Sequence, residues 1–187
     1  MAQSKNNIVT HGLSGKVGDL LVFSQRNGKT IVGKVPTHSG ESTEGQKQVQ
    51  QKFQQAVFYA KAAMANPETK AMYQPEAKDG KTIYNVAIAD FFDAPDIQTV
   101  DFSAYHGQPG DVINIQVTDS FKVKAVSVTI TNEDGSVVEQ GEAQSASDGY
   151  NWLFTATQVN DSLSGDKITV RAKDMAANLS VKELAVS

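Results

Sequence analysis

The chain has 187 residues, 40% of them hydrophobic and 20% charged, with a formal net charge of −4. That composition excludes wholesale disorder and leaves enough apolar side chains to bury roughly 70% of the unfolded surface. Cysteine is absent, which excludes disulfides, Cys-ligated zinc, iron–sulfur clusters and thiol catalysis together.

The charge is unevenly spread. Residues 1–95 hold 11 Lys and Arg against 8 Asp and Glu, a balance of +3, whereas residues 96–187 hold 6 against 13, a balance of −7. Opposite balances predict two domains, 1–95 and 96–187, that attract each other within or between molecules. The first twelve residues lack the apolar stretch of a signal peptide. No window reaches the ~20 apolar residues of a membrane-spanning helix. Membrane insertion is therefore not expected. The chain is expected inside the cell, or released without a cleaved leader to a cell or virion surface.

Residues 1–11 are polar apart from Ile8 and Val9, and read as a free arm or a short edge strand. Residues 12–36 read as a β-hairpin, with strands at Lys16–Phe23 and Thr30–Val35. Asn27-Gly28 between them suits a type I′ turn, since both residues accept positive φ. Thr43 and Gln46 form a capping box. Behind it Val49, Phe53, Ala56, Val57, Ala60 and Met64 recur at helical spacing, which predicts an amphipathic helix of about 20 residues ending at Asn66-Pro67. A short second helix follows at Glu68–Gln74. A third, capped by Thr82, turns Ile83, Val86, Ala87, Phe91 and Tyr84 inward and ends at Asp93-Ala94-Pro95. The whole is an α+β module of hairpin and helices. Its Ser14-Gly15-Lys16-Val17-Gly18-Asp19, Phe23, Asn27-Gly28-Lys29 and Val35-Pro36 pattern resembles the N-terminal module of a group of uncharacterised bacterial proteins, a resemblance that implies no activity.

From residue 96 the texture changes to short alternating strands with turns between them. They are expected at Ile97–Phe102, at Asp111–Thr118, and around Val126, Val128 and Ile130. Further ones follow at Val137-Val138, around Trp152, Phe154 and Ala156, at Ile168–Ala172, and at Leu179–Val186. The order of strands, the Asp134-Gly135 turn, Trp152-x-Phe154-x-Ala156 and Ala172-x-Asp174-x-x-x-Asn178 together resemble a bacterial immunoglobulin-like (Big-type) domain. That resemblance implies an all-β sandwich and a role in adhesion or display; Trp152, alternating with Phe154, is expected as its core aromatic.

Chemical signatures are sparse. Gly15-Lys16 could end a phosphate-binding loop, but Thr10 stands where that loop needs Gly, and Val17 where it needs Ser or Thr. His11, His38 and His106 lack a third zinc ligand nearby in sequence. No nucleophile elbow or paired carboxylates appear. No enzyme, catalytic residue or cofactor is expected. Asp119, Asp166, Asp174 and Asn178 are candidates to gather oxygens for calcium at one end of the sandwich, although Asp and Asn also hydrogen-bond their own turns.

The expected function is non-enzymatic assembly or surface interaction. The N-terminal module would dock or oligomerise, and the immunoglobulin-like module would be displayed, a virion or surface appendage being one specific form. The partner is then a second copy or another protein. Ile8 and Val9 of the arm, with Arg26, Asn27, Gly28 and Lys29 at the hairpin tip, are the expected assembly residues, by strand addition. Two other readings compete. In one, Lys16, Arg26, Lys29 and Lys34 present the hairpin to nucleic acid, although charges on sheet edges also block unwanted pairing. In the other, the sandwich loops bind glycan.

Overall fold

The computed structural model describes residues 2–4, 8–26, 28–36 and 40–186. Asn27 and His38 lie outside them. By compactness the chain divides into Met1–Gln51 and Lys52–Ser187, so the boundary expected after residue 95 falls inside the second unit.

In the first unit, strands β1 (Ala2–Ser4), β2 (Gly15–Val17), β3 (Leu21–Arg26) and β4 (Lys29–Lys34) form one antiparallel sheet in the order β1-β4-β3-β2. The single strand expected over Lys16–Phe23 is broken. Gly18 takes φ +55°, a conformation that costs glycine little, and the reversal sets Val17 opposite Leu21. The hairpin is therefore a three-stranded meander. The polar arm supplies the fourth strand, with Gln3 opposite Ile31. At the tip, Gly28 has φ +71° and Arg26 faces Lys29 as the last pair before the turn. Among the described residues of this unit Thr30 alone is buried. Its hydroxyl donates to the Thr10 carbonyl at 3.1 Å and accepts from Gln25 Nε2 at 2.8 Å. Helix α1 (Glu44–Ala65) begins here with the predicted capping box. Gln46 N donates to Thr43 Oγ1 at 3.3 Å, and Thr43 N to Gln46 Oε1 at 2.9 Å.

The second unit continues α1 and adds α2 (Pro67–Tyr73) and α3 (Ile83–Phe92). Asn66 Oδ1 caps α2 by accepting from Glu68 N and Thr69 N, and Thr82 Oγ1 caps α3 by accepting from Asn85 N. These side chains satisfy backbone donors that the helix leaves free. Ala60, Ala63, Tyr73 and Ala87 form the buried centre of the helices. The stripe on α1 is narrower than its periodicity suggests, for Val49 and Phe53 are exposed.

Eight strands follow: β5 (Asp96–Asp101), β6 (Val112–Thr118), β7 (Val123–Thr131), β8 (Val137–Glu142), β9 (Gln144–Ser145), β10 (Asn151–Thr155), β11 (Lys167–Asp174) and β12 (Leu179–Ala185). They make two antiparallel sheets, β5-β6-β10-β9 and β12-β11-β7-β8. Ile113, Ile115, Val117, Trp152 and Phe154 of one sheet meet Val126, Val128, Ile130, Ile168, Val170 and Ala172 of the other in one core. That is a β-sandwich-like body, with Trp152 in its core. The helices belong to it through specific bonds. Asn178 Nδ2 donates to the carbonyls of Asp90 and Asp93 at 3.1 and 2.8 Å, and Ser180 Oγ donates to the Pro95 carbonyl.

Candidate functional site

Three elements carry an apolar stripe that ends in an aspartate. On β11, Ile168, Val170 and Ala172 face the core, and the period of two carries Asp174 inward after them, to 0% exposure. On β6, Ile113, Ile115 and Val117 face the same core, and the same parity reaches Asp119 just beyond the strand. On α3, Ala87 is buried and Asp90 lies three residues on, on the same face, at 2% exposure. One carboxylate oxygen from each of Asp90, Asp119 and Asp174 lies within 4.8 Å of the others.

The hydrogen bonds around this cluster leave it incomplete. Tyr73 Oη donates to Asp90 Oδ2 at 2.6 Å, and the Tyr59 hydroxyl lies 2.6 Å from that of Tyr73. Phe121 N donates to Asp119 Oδ1 at 3.2 Å, and the Phe121 ring stacks on Tyr73 at 4.2 Å. Asn178 donates to both oxygens of Asp174, from N to Oδ1 and from Nδ2 to Oδ2, each at 2.7 Å. Asp90 Oδ1 and Asp119 Oδ2 are buried without any hydrogen-bond partner. Leaving such a group unpaired costs free energy, more so when it is charged. Among the described residues the ion pairs join Lys16–Asp19, Lys47–Glu44, Lys78–Glu76 and Lys167–Glu183, none of them here.

The electrostatics follow from that crowding. Burial pushes the Asp90 carboxyl up to about 6; the Tyr73 hydrogen bond opposes the shift, and the charges of Asp174, Asp119 and Asp93 add to it. Burial likewise raises Asp119, with Asp174 and Asp93 contributing and the Phe121 amide opposing. Tyr73 and Tyr59 are both raised, chiefly by burial. The donor set is all oxygen and all acidic, the set that hard divalent cations take.

Of the calcium residues expected from sequence, Asp119, Asp174 and Asn178 come together here, and Asp166 does not. Asp166 sits at the opposite end of β11, where Asn160 Nδ2 donates to its Oδ2 at 2.7 Å and to the Tyr105 hydroxyl at 3.1 Å. Asn178 serves as a donor, holding Asp174 and the last turn of α3. Asp90 carries no motif of its own in the sequence, yet it continues the stripe of Ile83, Val86 and Ala87 as an acid.

The basic hairpin residues do not converge. Arg26 and Lys29 pair across the turn and Lys16 pairs with Val22, which puts those three on one face, whereas Lys34 pairs with Leu21 on the other. Lys16 also lies 3.9 Å from Asp19. Ile8 and Val9 are in a turn and exposed, as is His11, and His106 is exposed at a bend.

No protein-family model matches the chain, and no curated protein does. Among solved structures, CopC from Methylosinus trichosporium OB3b is similar at 13% identity and a TM-score of 0.35, over 48% of this chain and 87% of that one. An engineered protein is similar at 16% identity and a TM-score of 0.32, over 51% of this chain and 20% of its own. At TM-scores this low neither likeness assigns a ligand or an activity to this chain.

Proposed function

We propose that the chain is a non-enzymatic assembly protein. Its N-terminal sheet docks on a second copy, and its C-terminal sandwich, read as immunoglobulin-like, is displayed. The observation that carries this reading is the poverty of the first unit's interior. Among its described residues no hydrophobic side chain is buried, while Val17 is 56% and Leu20 77% exposed. On one face of the sheet Val17, Leu21, Phe23 and Val32 adjoin through their pairings, an apolar row that a second copy would remove from water. Charge favours a second copy as the occupant. Residues 1–51 hold six Lys and Arg against three Asp and Glu, and the remainder holds 11 against 18, so copies attract through unlike units.

Light scattering of the full-length protein across a dilution series tests the reading. A discrete oligomer is expected, and Val17→Asp with Leu20→Asp should convert it to a 20.1 kDa monomer. A wild-type monomer at every concentration overturns self-association. An oligomer unchanged by these substitutions, and also by deletion of residues 1–11, overturns the N-terminal sheet as its seat.

A further inference from the structure

We infer that Asp90, Asp119 and Asp174 bind one calcium ion, with the unpartnered Asp90 Oδ1 and Asp119 Oδ2 as its directed donors. Three independent features converge. The acids come from segments far apart in sequence, and each is carried into the cluster by the periodicity of its own element. One carboxylate oxygen from each acid lies within 4.8 Å of the others, and two ligands held at about 2.4 Å from one calcium can be up to about 4.8 Å apart. Above all, Asp90 is 2% exposed and its Oδ1 has no hydrogen-bond donor. The surroundings hold the donors in place. Tyr73 fixes Asp90 through its other oxygen, Asn178 fixes Asp174 through both, and the Phe121 amide fixes Asp119.

Calcium suits this arrangement better than its competitors. Zinc and copper sites are usually built on nitrogen or sulfur ligands, and the cluster has neither. Magnesium dehydrates reluctantly and needs near-ideal octahedral geometry at shorter distance. Asp119 is half-buried and lines a cleft with Val117, Phe121 and Trp152, while its Oδ2 is turned away from solvent. The bound ion would tie the last turn of α3 to the β6–β7 turn and to the end of β11, cross-linking the helices to both sheets.

The test uses full-length protein stripped with EDTA and desalted, melted in CaCl2, in MgCl2, and in NaCl of equal ionic strength. At about a hundredfold excess over Kd, calcium should raise Tm by about 5–10 °C. Asp90→Asn and Asp119→Asn should each abolish that rise, and the surface variant Asp161→Asn should keep it. Should Asp90→Asn fail to fold, Asp119→Asn carries the test, because that residue is only half-buried. A wild-type Tm that calcium moves no further than NaCl does overturns the inference. So does a rise retained in the ligand variants, or a response to magnesium without one to calcium.

Discussion

The two ends of β11 bury the same residue type in opposite ways. At one end Asp166, 1% exposed, meets the side-chain amide of Asn160, which also donates to Tyr105. At the other end Asp174 meets Asp90 and Asp119, and two oxygens of that group have no donor. A lone buried carboxylate is accommodated by neutral donors. Three together exceed what Asn178, Tyr73 and the Phe121 amide supply, and a cation would relieve their mutual repulsion. The first end is complete in itself; the second calls for a ligand.

Substitutions at the two ends should therefore differ in size, large losses at the first and little or none at the second. Gly107 adjoins the complete end with φ +80°, and a Cβ there would meet the Asn160 carbonyl oxygen at 2.3 Å. Gly107→Ala should cost about 4 kcal/mol in urea denaturation, because backbone strain and a backbone clash coincide. Next, Asn160→Ala should cost about 2–3 kcal/mol by leaving Asp166 buried without its donor. Calcium should not change that cost.

At the other end Asp90→Asn removes a charge from a repelling group at nearly constant shape. Without calcium its stability should lie within about 1 kcal/mol of the wild type or above it. A large loss there would break the comparison.

The smallest effect concerns Asp111, whose carboxylate accepts from His106 N at 2.7 Å and Gln108 N at 2.8 Å. The Gln108 and then the His106 amide hold its pKa below the ordinary carboxylate value. A folded-state pKa below the unfolded one gives stability that is present above the unfolded value and lost as pH falls through the folded one. Asp111→Asn should thus be slightly less stable than wild type at pH 7, and the gap should close in acid below the usual carboxylate range. A gap independent of pH would assign the effect to shape rather than charge.

Much of the second unit was legible. Alternation in Ile113–Val117, Val126–Ile130 and Ile168–Ala172 marked the core strands, because a sheet with one wet face imposes a period of two. The break at Gly18 was half legible, since glycine there suits a bend, but Leu20-Leu21-Val22-Phe23 reads as a continuation of the strand and hides the turn before it. The acidic site was half legible. Asp119 and Asp174 were found as oxygen donors at strand ends, but Asp166 and Asp174 stand at opposite ends of one strand, about 26 Å apart at the usual rise per residue. One site cannot hold both. Asp90 was passed over because a helix face is read from its apolar members, and an acid among them registers as a gap. The charge change near residue 95 falls within the second compact unit, where Asn178 and Ser180 bond back to residues 90–95.

Calorimetric titration of calcium into EDTA-stripped full-length protein tests the central claim most directly. The account predicts one saturable site per chain, absent in Asp90→Asn. Saturable binding unaltered in that variant, or no saturable heat up to about 10 mM calcium, ten times the weak end of natural calcium modules, would contradict it.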